Sequence, residues 1–186
     1  MKGNEALLAV LAALEQLDVP YMVTGSFATN VYSIPRSTKD ADVIVEAKSE
    51  QIFELLDALP PGLKADGQML FETVTASKRW LISVEGSAFM IELFLLNSHA
   101  FDRSRFDRRR RLGLLPEVAA FVPTAEDVVV QKLRWVARVN RDKDFNDAVG
   151  VIRTQGEKLD WLYIEKWCAE LGASDALAEA RRMAEA

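Results

Sequence analysis

Two aspartates two positions apart, Asp40 and Asp42, lead into the apolar run Val43-Ile44-Val45. Side chains alternate along a strand, so there both carboxylates point to one face. Like charges placed this way repel, and a divalent cation relieves them. Hard oxygen ligands suit Mg²⁺ or Mn²⁺ rather than zinc. A third carboxylate, Glu92, interrupts the apolar stretch 88–96. An unpaired ionised group there is costly, so a cationic partner is expected. On neighbouring strands, Asp40, Asp42 and Glu92 would form a three-carboxylate cage for two metal ions. Such a cage activates a hydroxyl and offsets charge on a departing pyrophosphate. Upstream, Gly25-Ser26 sits where a strand gives way to a helix, and small residues there let backbone N–H groups approach phosphates.

Each feature also has a plainer reading. A D-x-D at a strand start is common. Ser26 could simply cap its helix. Glu92 could pair with an arginine of the basic stretch after His99. It is the joint pattern of strand, Gly-Ser, helix, D-x-D, strand and later strand carboxylate that points to phosphoryl-transfer chemistry.

Short apolar runs between turn signals predict the elements that carry these residues: strands at Tyr21–Thr24, Asp42–Glu46, Met69–Thr75, Trp80–Glu85 and Phe89–Leu96. Glu85-Gly86-Ser87 can turn the last two into a hairpin. Asn4 as cap, with Leu7, Leu8, Leu11, Leu14 and Leu17 at helical spacing, predicts an amphipathic first helix. Helices are also expected from Ser26 and from Ser49, the latter stopped by Pro60-Pro61-Gly62. From Pro123 the pattern is helical: a helix capped by Thr124, then about 144–153, 160–171 and 174 to near the end. The expected fold class is α/β (α+β), a small mixed sheet with flanking helices followed by a helical bundle. The expected division is a core at 1–122 and a helical region at 123–186.

The 186 residues are 49% apolar and 27% charged, the composition of an ordinary globular chain. A net charge of −5 disfavours a whole-surface nucleic-acid binder. Cys168 is the one cysteine and His99 the one histidine, which excludes an intrachain disulfide, a multi-His metal centre and most His-based catalysis. There is no apolar run of about 18 residues, so no membrane span is expected, and the short N-terminal apolar stretch reads as a helix rather than a signal peptide. A cytoplasmic protein is the expectation.

Gly25-Ser26, thirteen intervening residues, Asp40-x-Asp42 and a later strand carboxylate resemble the nucleotidyltransferase superfamily that includes DNA polymerase β. That superfamily more often has Asp where this chain has Glu92. In the helical half, Gln131-Lys132-Leu133-Arg134 followed by Arg141-Asp142-Lys143-Asp144-Phe145-Asn146-Asp147 resembles the K-L helix and R-x-K-D-x-x-D segment of AbiE-type abortive-infection toxins. The resemblance spans roughly residues 20–150 in four separated motifs. It implies that Gly25 and Ser26 hold nucleotide phosphates and that Asp40 and Asp42 bind metal. It further implies that Lys132 reaches toward the triphosphate, while Asp144 and Asp147 complete the site or position the acceptor. Arg36 and Lys39, flanking the D-x-D loop, could steady the triphosphate. The activity so implied is metal-dependent transfer of NMP from an NTP to an acceptor hydroxyl. The acceptor would be RNA or protein, the role toxin-like or in phage defence, with an antitoxin as partner. A nucleotide-binding regulator without transfer activity is the alternative.

Without the resemblance, Lys132 reads as a solvated helix lysine and Asp144 as a cap or helix-dipole partner. Asp102–Arg111 carries six arginines and two aspartates. It could follow a nucleic-acid backbone with Phe106 as a stacking surface, or form a mobile, solvated loop or a neighbour for Glu92 and other acids. Trp80, Trp135, Trp161 and Trp167 read as packing residues, Cys168 as a small buried hydrophobe, and His99 as a loop residue.

Overall fold

A computed structural model describes residues 1–73 and 76–185. Its main sheet has the strand order β1-β2-β6-β5-β3, with β4 also pairing β5. The strands are β1 (Tyr21–Thr24), β2 (Asp40–Val45), β3 (Leu63–Ala65), β4 (Leu70–Glu72), β5 (Ser77–Val84) and β6 (Met90–Leu95). The β2–β6 pair is parallel; β1–β2, β5–β6 and the short edge pairs are antiparallel.

Alternation assigns the two faces of this sheet. Ala41, Val43 and Val45 of β2, Ile91 and Leu93 of β6, and Trp80, Ile82 and Val84 of β5 are buried in one core cluster. Helix α1 (Gly3–Gln16) closes that face with Leu7, Val10, Leu11 and Leu14, and α3 (Ser49–Asp57) adds Ile52 and Leu55. α1 starts one residue before the expected cap: Asn4 lies in its first turn, and Glu5 accepts from the Lys2 N–H at 2.9 Å instead. The opposite face of β2 and β6 therefore carries Asp40, Asp42, Ile44, Glu92 and Phe94. Against it stand α2 (Gly25–Tyr32) and the helices of the C-terminal half.

Those helices are α5 (Ala125–Val139), α6 (Asp142–Gln155), α7 (Trp161–Glu170) and α8 (Ser174–Glu185). They share a second core with Ala28 of α2 and Phe101, in which Cys168 is fully buried and Trp167 nearly so. Thr124 caps α5, its hydroxyl accepting from the Asp127 N–H, as its position suggests.

The segment between the sheet and α5 differs from expectation. Asp102–Arg111 is not a solvated loop. Ala100–Asp107 is a helix, α4, with His99 as its N-cap. It is followed by a two-stranded hairpin, β7 (Arg110–Leu115) and β8 (Val118–Val122). Phe106 is buried and offers no stacking surface. Of the run's arginines Arg105 is buried, Arg108 and Arg109 are half-buried, and Arg103, Arg110 and Arg111 are exposed. Arg103 pairs with Glu46, Arg108 with Asp127, Arg109 lies 4.1 Å over the Phe106 ring, and Arg111 pairs with Glu15. The run 69–75 is also shorter as a strand than expected, with β4 ending at Glu72; positions 74 and 75 lie outside the described residues.

Candidate active site

The carboxylates come from the parallel seam. Asp42 of β2 is the register partner of Glu92 of β6, and Asp40 lies two residues back on the same face. Gly25, the residue that follows β1, closes in from the other side. Its φ of +61° is a left-handed conformation, and a Cβ there would lie 1.8 Å from Asp42 Oδ2. Glycine is therefore required twice, once by its backbone and once by the aspartate it abuts. Burial, together with Glu92 and Asp40, pushes the Asp42 carboxyl up to about 7, against the opposing pull of Lys132 and Lys143. Thr38 donates to Asp40 Oδ1 at 2.6 Å and holds that side chain over the cleft.

Glu92 has the cationic partner its position demands, but from an unexpected place. The partner is Arg79 of β5, not an arginine after His99. Arg79 registers against Phe94, one position pair from Glu92 on the adjacent strand, so the two side chains meet on the cleft face.

The opposite wall is α5 and the start of α6. Lys132 is buried, and its Nζ donates to Asp144 Oδ1 at 2.7 Å and lies 2.8 Å from Asp147 Oδ2. Asp147 is also gripped by Arg36, whose Nε and Nη2 donate to its two oxygens at 2.8 Å each. Burial would raise the Asp147 carboxyl, but Arg36 and Lys132 outweigh it and hold it below the usual carboxylate range. Arg36 Nη2 further donates to Ser26 Oγ at 3.0 Å. Asn30 fixes the Arg36 backbone, donating to its carbonyl and accepting from its N–H. One ionic chain thus ties the Gly25-Ser26 turn, through Arg36, to α6 and α5.

Between these walls lies a cleft of about 250 Å³. Gly25, Ser26, Asp40, Asp42, Glu92, Lys132 and Asp144 all line it. Arg36 and Asp147 stand behind the lining, linked to it through Ser26 and Lys132, and Lys39 is exposed and contributes no lining. Sequence reasoning missed Arg79, Ser77 and Asn97, read Asp102 and Arg105 only as part of the basic run, and took Trp135 for packing only; all six line the cleft. Trp135 is half-buried, with the Arg141 guanidinium 5.2 Å from its ring centroid. Lys143, inside the R-x-K-D segment, was within reach of motif reasoning.

The donor set suits a hard divalent cation, and the repulsion that raises Asp42 is what such an ion would relieve. With Glu92 on Arg79 and Asp40 on Thr38, no group of three or more His, Cys, Asp or Glu among the described residues is gathered in metal-binding geometry. Also among the described residues, no helix is long and apolar enough to cross a membrane.

No family model and no curated protein sequence matches this chain. Solved structures do. The antibiotic-resistance factor ANT(2'')-Ia in solution is 10% identical over 96% of this chain and 95% of its own, with a TM-score of 0.62. ANT(2'')-Ia in complex with adenylyl-2''-tobramycin is 12% identical over 97% of both chains, with a TM-score of 0.52. The lincomycin-bound lincosamide antibiotic adenylyltransferase LnuA is 12% identical over 79% of this chain and 94% of its own, at a TM-score of 0.51. The shared fold is that of nucleotidyltransferases.

Proposed function

We propose that the chain transfers a nucleoside monophosphate from an NTP to an acceptor hydroxyl. The observation that carries this reading is the seam itself: Asp42 in register with Glu92, Asp40 beside them, and Gly25 packed against Asp42 Oδ2. Gly25-Ser26 and the start of α2 receive the phosphates, where backbone N–H groups and the helix dipole favour negative charge. Asp40 and Asp42, joined by Glu92 once it leaves Arg79, would hold Mg²⁺ or Mn²⁺. A cation bound there supplies positive charge at the α-phosphate and favours ionisation of the attacking hydroxyl. In the transfer, the acceptor oxygen bonds to the α-phosphorus and the bond to the β-phosphate bridge breaks. Pyrophosphate leaves, and the hydroxyl proton passes to a cleft carboxylate. Lys132, fixed by Asp144 and Asp147, presents its charge to the cleft without freedom to wander.

The solved structures of similar fold support this reading through ANT(2'')-Ia with its adenylylated tobramycin and the adenylyltransferase LnuA. A toxin-like or phage-defence role, with an RNA or protein acceptor and an antitoxin partner, rests on the resemblance of the helical motif alone. One observation favours a second reading, a nucleotide-binding regulator without transfer. Glu92, which should serve the second cation, is engaged by Arg79.

The deciding experiment is isothermal titration of each NTP with Mg²⁺ or Mn²⁺ into wild type and the Asp40→Asn/Asp42→Asn variant, followed by pyrophosphate release. The variant is checked for a cooperative thermal transition, so that a loss of binding is a loss of the site. Metal-dependent binding abolished in the variant supports the proposal. Binding that never yields pyrophosphate with any acceptor selects the regulator, and equal binding by both proteins refutes the site.

A further inference from the structure

The Gly25-Ser26 turn follows Thr24, the register partner of Asp42, and so lies toward the N-terminal end of β2, which leaves the C-terminal ends of β2 and β6 for something else. At that end Phe106 of α4 shares a cluster with Ile44 and Leu96, and the cleft floor is built differently. Asp102 and Arg105 of α4 line it, and Arg134 of α5 stands directly behind. All three are buried, at 1%, 5% and 2% exposure. A single carboxylate serves both arginines. Arg134 Nη1 donates to both Asp102 oxygens at 3.2 and 3.0 Å, and Arg105 Nη2 lies 2.8 Å from Oδ1. Although burial pushes Asp102 up, the two guanidiniums outweigh it and hold its pKa below the usual carboxylate range, so the group stays ionised. Among the described residues, the ion pairs of both guanidiniums end on Asp102, which leaves one positive charge uncompensated. Nε of Arg105 and Nε of Arg134 are buried without a hydrogen-bond partner. A buried charge of this kind is expensive unless something anionic answers it.

We infer that this floor receives an anionic group, a phosphate or a carboxylate, carried by the acceptor. The inference rests on the transfer reading above and adds the chemical class of its second substrate. Arginine's planar fork matches either oxyanion. Leu96 and Val128, which line the same end of the cleft, limit the water that would screen the contact. Asn97 bonds Asp102 and also donates to Ser77 Oγ at 3.2 Å, so the Asp102–arginine group is anchored to β5 beside Arg79. An acceptor held by its anionic group on Arg105 would therefore approach the carboxylates from the C-terminal ends of β2 and β6, opposite the turn that receives the nucleotide phosphates.

The test is a two-step titration. Wild type is first saturated with NTP and Mg²⁺, which tests the transfer reading alone. Inorganic phosphate or acetate is then titrated into the loaded protein, and also into the unloaded protein. The same titrations are made on Arg105→Met, Arg105→Lys and Asp102→Asn, each checked for a cooperative thermal transition. The expected result is anion binding to loaded wild type that weakens by about tenfold or more in Arg105→Met. Arg105→Lys should recover part of it. Asp102→Asn should tighten it, a gain that misfolding cannot imitate. Preference for phosphate over acetate assigns a phosphate-ester acceptor, and the reverse a carboxylate. Absence of anion binding in wild type, or equal binding by wild type and Arg105→Met, overturns the inference. Failure of the NTP step with retained Arg105-dependent anion binding strikes the transfer reading and leaves the anion site standing.

Discussion

Gly25→Ala isolates the contact on which the site depends. The new methyl would start 1.8 Å from Asp42 Oδ2 and 2.9 Å from its Cγ, whereas real Cβ atoms keep at least 3.0 Å from such neighbours. The carboxylate must therefore retreat by more than an ångström or the turn must unwind. Two costs add. Holding alanine at a φ of +61° costs about 1–2 kcal/mol, and driving Asp42 off its rotamer costs about 0.5–1.5 kcal/mol more. At about 2–4 °C per kcal/mol for a chain of this length, the melting temperature should fall by roughly 3–14 °C. Gly86→Ala is the control. Gly86 also has a positive φ, +71°, but an added Cβ meets nothing within 4 Å, so only the backbone strain applies. Calorimetry on both variants, paired with NTP–Mg²⁺ titration, separates strain from displacement. Gly25→Ala should melt below Gly86→Ala and lose about 100-fold in activity or binding, the scale set by a misplacement of an ångström at a reacting centre. If the two variants melt together and Gly25→Ala binds NTP like wild type, the packing of Gly25 on Asp42 does not organise the site.

Other perturbations read neighbouring parts of the fold. Lys132→Met leaves Asp144 and Asp147 facing each other with their shared cation gone, and should cost about 3–5 kcal/mol in urea unfolding. An unchanged midpoint would mean that Arg36 and Arg141 suffice. Arg79→Met should release Glu92 and tighten Mn²⁺ binding several-fold. Weaker Mn²⁺ binding would show that Arg79 orients Glu92 rather than withholding it. Asp102 and Asp147 both have carboxyls held below their ordinary value despite burial, so each contributes stability that is present above the unfolded carboxylate range. That contribution is lost as pH falls below about 4 toward their folded values. Acid unfolding followed by circular dichroism should therefore move to higher pH in Asp147→Asn, whose contribution is already missing. A shift to lower pH contradicts the sign.

What could be read from the sequence was local. The strand, Gly-Ser, helix, D-x-D frame is one continuous stretch whose periods and punctuation name its elements. The need for a cation at Glu92 followed from its apolar neighbours alone. Which cation answered was a matter of strand pairing: β5 lies antiparallel to β6, and no local signal distinguishes Arg79 from the arginines after His99. The basic stretch misled for the same reason. Its charges suggest a solvated surface, but Phe101, Asp102, Arg105 and Phe106 fall on the buried side of a helix whose partner is Arg134, 32 residues away. The β7–β8 hairpin and β3 were not anticipated: β3 spans only three residues, and β7 begins inside the run of arginines that was read by its charge. Lys132 was placed in the cleft through resemblance; its clamp by Asp144 and Asp147 needed α5 and α6 to be packed together.

The parallel pairing of β2 with β6 has a kinetic side. β1 with β2, and β5 with β6, are antiparallel partners close in sequence, so each pair can assemble by closing short loops. The ladder joining the two pairs brings together Asp42 and Glu92 and must close the much longer stretch between them. The site is thus the seam along which the two locally paired halves of the sheet meet. A chain that has folded each half but not yet joined them has its secondary structure and none of its chemistry.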